Sequence, residues 1–274
     1  MTKDTPIGLF DSGVGGLTVF REVVRLLPGE DVVYFGDVGR YPYGGRSREI
    51  ITQFTRQDIA FLQEHNVKFI ICACNSASSV ALEEVQKNYE IEIIGVIEPG
   101  AKAAVKKTKN GRIGVIGTQA TIGSNAYARV IHSLSPEVKV FSLACPLFVP
   151  LAEEGYIDKP ATHEIARDYL RAMHDVEIDT LVLGCTHYPL LKAVIADVMG
   201  DGVTLIDSGE EAAREALQRL TNTNLLRVDS PAAATRKGEY KFYVSDVPEK
   251  FANIAARFLG HQIEKTTRVD ISGY

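Results

Sequence analysis

Short apolar runs rich in β-branched residues alternate with stretches of helical periodicity almost from one end of this chain to the other, and few folds accept that alternation. Ile7–Phe10, Val32–Phe35, Phe69–Ala73, Ile93–Val96, Ile113–Ile116, Val138–Leu143, Leu181–Leu183, Val203–Ile206 and Tyr240–Val244 read as strands. Apolar residues recur at helical spacing over Leu17–Leu27, from an N-cap at Ser47 through Leu62, and over Asn75–Tyr89, Ala120–Leu134, Ala161–His174 and Leu190–Met199. Two more such stretches run from a cap at Ser208 to Leu220 and over Val247–Leu259. Strand and helix repeated in this way build βαβ units, so the chain is predicted to be α/β with mostly parallel sheets flanked by helices. Arg40–Gly45 carries too many breakers for helix or strand, and Cys145–Pro150 reads as irregular. Residues 221–237 read as a polar connector, and the tail as loosely ordered.

The chain has 274 residues, which suits a bilobed molecule or one large sheet. A net charge of −5 and no Lys/Arg run longer than two residues argue against a nucleic-acid partner. An acidic substrate must then be held by local groups. The first residues are polar, with no secretory h-region, and no apolar run reaches the length of a membrane span, so a cytoplasmic protein is expected. In that reducing compartment the four cysteines are expected to be free thiols.

Two of the apolar runs end in the same way. Ile70-Ile-Cys-Ala-Cys-Asn-Ser-Ala-Ser78 and Leu181-Val-Leu-Gly-Cys-Thr-His-Tyr-Pro189 each pass from a buried strand into a thiol and then hydroxyl or amide groups. Open α/β sheets place their chemistry at such strand ends. The order of elements also repeats. Gly8-Leu-Phe-Asp-Ser-Gly13 leads through strand and helix to Cys74, and Gly114-Val-Ile-Gly-Thr-Gln119 leads in the same way to Cys185. Two similar halves, each presenting a thiol at a strand-to-helix turn, are expected to face one another. Cys72 and Cys145, inside or beside apolar runs, read as packing residues. Cys74 and Cys185 stand where peptide N–H groups and a helix dipole favour a thiolate.

Cys72, Cys74, Cys185 and His187 together number four soft ligands, which makes zinc a competing reading; neither pair has the usual C-x2-C spacing. The turn Ser12-Gly-Val-Gly-Gly16 invites a nucleotide reading but matches neither phosphate fingerprint, and its glycines serve a tight turn. Asp11, Asp37, Glu153 and His187 are titratable residues at strand ends or in loops, with Glu154 not separable from Glu153 at this level. The Tyr43-Gly44 loop is a lid or a turn. One reaction needs two matched thiols on opposite walls: inversion of a carbon centre, where one group removes a proton from one face as another delivers one to the other. A non-catalytic amino-acid-binding module on the same bilobed fold is the alternative of another class.

The motifs Phe10-Asp-Ser-Gly-Val-Gly-Gly-Leu17, Pro42-Tyr-Gly44, Ala73-Cys-Asn75 and Gly184-Cys-Thr-His-Tyr-Pro189 resemble those of the glutamate racemase family, within the cofactor-independent aspartate/glutamate racemases. The resemblance spans residues 7 to 220. It implies interconversion of L- and D-glutamate without cofactor or metal, in two α/β domains with the second inserted into the first. The boundaries it suggests are 1–97 plus 207–274 for the first domain and 98–206 for the second, with a hinge at Glu98-Pro99-Gly100. By that similarity Cys74 and Cys185 are the paired base and acid, Cys74 on the D-face and Cys185 on the L-face. Asp11 and His187 support the proton transfers, with Glu153 and Asp37 behind them. Ser12, Tyr43, Gly44, Asn75, Ser76, Thr118, Thr121 and Thr186, with Asp11 and His187, hold the ammonium and carboxylates. One departure is Asn75-Ser76, where the family has Asn-Thr; the hydroxyl is kept and a methyl lost. The family further implies a homodimer in the bacterial cytoplasm that supplies D-glutamate for peptidoglycan.

Overall fold

The computed structural model describes residues 2–227, 237–263 and 265–274. The chain begins with β1 (Ile7–Asp11), α1 (Leu17–Leu26), β2 (Val32–Gly36), α2 (Arg48–Glu64), β3 (Phe69–Cys72), α3 (Asn75–Val80), α4 (Leu82–Val85) and β4 (Ile93–Gly95). It continues through α5 (Ile97–Lys107), β5 (Arg112–Gly117), α6 (Gln119–Gly123), α7 (Ala126–Leu134), β6 (Lys139–Ala144), α8 (Phe148–Glu153) and α9 (Pro160–Asp175). It ends with β7 (Thr180–Gly184), α10 (Lys192–Met199), β8 (Thr204–Asp207), α11 (Ser208–Asn222), β9 (Tyr240–Val244), α12 (Pro248–Leu259) and β10 (Thr266–Arg268).

These strands form two sheets, one of six strands in the order β10-β9-β2-β1-β3-β4 and one of four in the order β6-β5-β7-β8. Every strand pair is parallel. The central strands β1, β2, β3 and β7 are buried along their whole length, as apolar strands covered on both faces must be. The pseudo-symmetry is exact in topology: β4-β3-β1-β2 in the first sheet corresponds to β8-β7-β5-β6 in the second, and β9 and β10 extend the first at its β2 edge. One apolar cluster runs through both units, taking in Ile7 and Leu9 of β1, Val115 of β5, Val182 of β7 and the alanines of α11. Ala212, Ala213 and Ala216 have small side chains that let α11 lie close to α1 and α5. Two further clusters cover the outer faces of the sheets.

Several expectations are corrected. Glu98-Pro99-Gly100, expected as a hinge, lies in the first turn of α5, where a proline needs no N–H partner. Asp207, not Ser208, caps α11, because its carboxylate accepts from the amides of Gly209 and Glu210. Phe148–Glu153 is helical, and the stretch expected as one helix over Ala120–Leu134 is broken by Asn125 in the left-handed region. Asn75–Tyr89 likewise divides into α3, α4 and a single 3-10 turn. The tail is not loose: β10 pairs with β9, and Ile271 is buried. Of the polar connector, 228–236 lie outside the described residues.

The strand ends are set by register. Phe10 pairs with Cys72 and Gly117 with Gly184, so Asp11 and Cys74 leave the first sheet at one edge as Thr118 and Cys185 leave the second. Gly184 is required for this pairing, since a Cβ there would stand 2.6 Å from the carbonyl oxygen of Ile116 on the neighbouring strand. Gly184→Ala is therefore expected to force β5 and β7 apart, at a cost of about 1–3 kcal/mol, and to displace the adjacent Cys185. A lowered thermal midpoint together with lost activity checks this; an unchanged midpoint contradicts it.

Candidate active site

A cavity of about 240 Å³ opens between the two units at these strand ends. Ser12, Tyr43, Gly44, Cys74, Asn75 and Ser76 line it from the first unit, and Thr118, Cys185, Thr186 and His187 from the second. Both thiols are thus on the wall of one small chamber. Asp11, Glu153 and Thr121 stand behind that wall rather than in it. Tyr41, Pro42, Gly45, Gln119, Pro146, Val149 and Pro150 complete the lining. The sequence reading assigned none of these to the site: all but Gln119, at the start of α6, belong to the two segments whose breakers hid their conformation. A recess of about 460 Å³ between α4, β4, α5 and α7 has no cysteine or histidine on its wall.

Cys74 occupies the N-cap position of α3, after β3 has ended at Cys72. Its Sγ lies 3.5 Å from Oγ of Ser12. The expectation that the helix start lowers its pKa is overturned: burial, reinforced by the carboxylate of Asp11, pushes the thiol up to about 12 against the weaker pull of Ser12 and two backbone amides. Cys185 follows β7 in a bend and leads into a 3-10 turn over Tyr188–Leu191, so its local frame, unlike that of Cys74, is not the start of an α-helix. Its Sγ lies 3.8 Å from Nδ1 of His187, whose Nε2 is 3.0 Å from Oε1 of Glu153. Burial alone would favour neutral imidazole in His187. The hydrogen bonds to Cys185 and Glu153 outweigh it and raise the pKa to about 10. Burial likewise pulls Glu153 up, but the His187 hydrogen bond and charge, with a hydrogen bond from Tyr41, hold it below the usual carboxylate range. At neutral pH an imidazolium therefore stands beside Cys185, the cation a thiolate needs.

The remaining polar side chains bind the two units together. Ser76 Oγ and Thr118 Oγ1 are 2.9 Å apart, and Thr118 Oγ1 is 3.1 Å from that of Thr121. Thr18 donates to the carbonyl of Thr186 at 2.9 Å. Asn75 accepts from the hydroxyl of Tyr127 at 2.8 Å and its amide nitrogen is 3.4 Å from Oγ of Ser208. Asp11 is fully buried, accepting from the amide of Gly13 at 2.9 Å and facing Thr186 Oγ1 at 3.5 Å. Burial raises its pKa against the opposing charge of His187. Asp37 is buried in a hydrogen-bonded group beneath Tyr43 and does not line the cavity. Cys72 and Cys145 pack in the outer cores, and among the described residues no three His, Cys, Asp or Glu side chains converge to hold a metal ion.

Two thiols on opposite walls of one cavity, with the His187 imidazole beside one and the Ser12 hydroxyl beside the other, can act as acid and base across it. The profile of a family described as Asp/Glu/hydantoin racemase matches residues 7–216 of the chain. A glutamate racemase of Geobacter metallireducens is 48% identical over 265 residues, covering 97% of this chain and 96% of the relative. One of Chlorobaculum tepidum is 49% identical over 264 residues, covering 96% and 95%. Among solved structures, the glutamate racemase of Francisella tularensis in complex with D-glutamate superposes with a TM-score of 0.91 at 40% identity, covering 99% of this chain and 100% of that one. Two sheets of matching topology, a thiol at the equivalent strand end of each, and likeness along the full length agree: the chain belongs to the Asp/Glu/hydantoin racemase family.

Proposed function

We propose that this chain interconverts L- and D-glutamate by a two-thiol acid-base mechanism. The observation that carries the reading is the single cavity lined by Cys74 and Cys185, one from each half of a duplicated fold. In the L-to-D direction Cys185, as thiolate beside the His187 imidazolium, takes the Cα proton and becomes a thiol. The bond electrons pass into the α-carboxylate, which hydroxyls of the cavity wall stabilise. Cys74 delivers its own proton to the opposite face and is left as thiolate. The reverse reaction exchanges the roles, and His187, Glu153 and Asp11 return each thiol to its starting state. Ser12, Tyr43, Gly44, Asn75, Ser76, Thr118, Thr121 and Thr186 hold the substrate, directly or by bracing a neighbour.

The proposal includes the two-domain division at 1–97 plus 207–274 and 98–206. It is supported by the way the chain's two ends share the first sheet while its middle forms the second. It also includes the cytoplasmic homodimer and the supply of D-glutamate to peptidoglycan that the family resemblance implies. Among the described residues no helix is long and apolar enough to cross a membrane. The test is polarimetric: purified protein with L-glutamate and no added cofactor is expected to reach a racemic mixture, and D-glutamate to reach the same end point. Aspartate as the preferred substrate would redirect the assignment within the family, and binding of glutamate without turnover would favour a binding module.

A further inference from the structure

Beneath the Tyr43-Gly44 turn lies a buried polar group that the proton transfers do not use. Asp37 and Asp58, at the end of β2 and on α2, are both fully buried. Arg40 joins them, with Nε 2.6 Å from Oδ2 of Asp37 and Nη2 3.0 Å from Oδ1 of Asp58. The hydroxyl of Tyr43 contacts both carboxyls, Oδ2 of Asp37 and, at 3.0 Å, Oδ2 of Asp58. A phenol has one proton to give. With that proton on the shorter contact to Asp37, the Asp58 oxygen faces the tyrosine oxygen and needs a proton of its own. Charge agrees with this count, because the single guanidinium of Arg40 balances only one of two carboxylates, and burying the second as an anion is costly. Asp11 and Cys72, whose charges also act on or respond to Asp58, supply no positive charge.

We propose that Asp58 is held as a neutral acid that donates to the hydroxyl of Tyr43, and that this buried proton fixes the Tyr43-Gly44 turn as the substrate-holding wall of the cavity. The turn is a tight fit against the second unit, since a Cβ at Gly44 would lie 2.9 Å from that of Thr118. Burial and the neighbouring Asp37 both push the Asp58 carboxyl upward, in keeping with the neutral form. Asp58 touches no reacting atom; it is a positioning residue that acts through Tyr43. The inference rests on the reading of Tyr43 and Gly44 as substrate-holding groups.

The two aspartates should then respond oppositely to amidation. Asp58→Asn keeps a donor toward Tyr43 and an acceptor toward Arg40, and is expected to retain the wild-type KM for glutamate and thermal midpoint. Asp37→Asn removes the one charge that balances the Arg40 guanidinium, and is expected to raise KM about tenfold with a smaller change in kcat, and to lower the midpoint. Infrared spectra in D2O supply a readout independent of turnover: the difference between wild type and Asp58→Asn should show the loss of one carbonyl stretch of a protonated carboxylic acid. Equal damage from both substitutions, or a difference spectrum in which no such band is lost, overturns the proposal. If the protein does not racemise glutamate, the spectra and midpoints still decide the protonation of Asp58.

Discussion

Replacing Cys74 or Cys185 by alanine is expected to lower kcat for racemisation by about four orders of magnitude, the upper end of what one acid-base group supplies. Each direction of the reaction uses both thiols, one to take the proton and one to give it, so neither variant can keep one direction and lose the other. Thermodynamics imposes the same symmetry: enantiomers in water are equal in free energy, and kcat/KM must fall by one factor in both directions. Both side chains are small and buried, at 5% relative exposure each, so the alanine variants should fold. Assay of optical rotation from each enantiomer, with circular dichroism to confirm folding, checks this. A single variant within tenfold of wild type would remove that cysteine from the mechanism.

The second large effect is expected at His187. His187→Gln removes the cation beside Cys185 while leaving Glu153 and Tyr41 in place, and should lower kcat by about two to three orders of magnitude. The same substitution has a signature in stability. The folded-state pKa of about 10 lies above the ordinary value of 6.5. The imidazolium therefore contributes stability in full below pH 6.5, and that contribution is lost as the pH rises toward 10. Over that window the wild type should lose stability to urea more steeply than His187→Gln. Parallel profiles would place the proton elsewhere.

The fold is legible because its signals are local. β-Branched runs of strand length, separated by helical periodicity, allow little besides parallel α/β units, and the two strand-thiol-polar stretches mark the cavity from both sides. What was not legible depends on tertiary packing. Whether Cys74 gains from the helix start could not be read from its position, because the decisive quantities are burial and the approach of Asp11 from a neighbouring strand. Asp58 looks like an ordinary polar residue on an amphipathic helix until Arg40 and Tyr43 are folded over it. Tyr41, which donates to Glu153, lies in a segment whose prolines and glycines predict only a loop. Asp207 and Ser208 are both good caps by composition, and only the folded backbone, which turns the amides of Gly209 and Glu210 toward the Asp207 carboxylate, decides between them.

The central claim is that Cys74 and Cys185 work on opposite faces of one substrate carbon. Proton NMR in D2O, following the Cα hydrogen of each glutamate enantiomer with wild type, Cys74→Ala and Cys185→Ala, tests it most directly. Wild type should exchange the hydrogen of both enantiomers. Cys74→Ala should exchange only L-glutamate, through Cys185, and Cys185→Ala only D-glutamate, through Cys74. Exchange of both enantiomers by either single variant, or of neither by wild type, would contradict it.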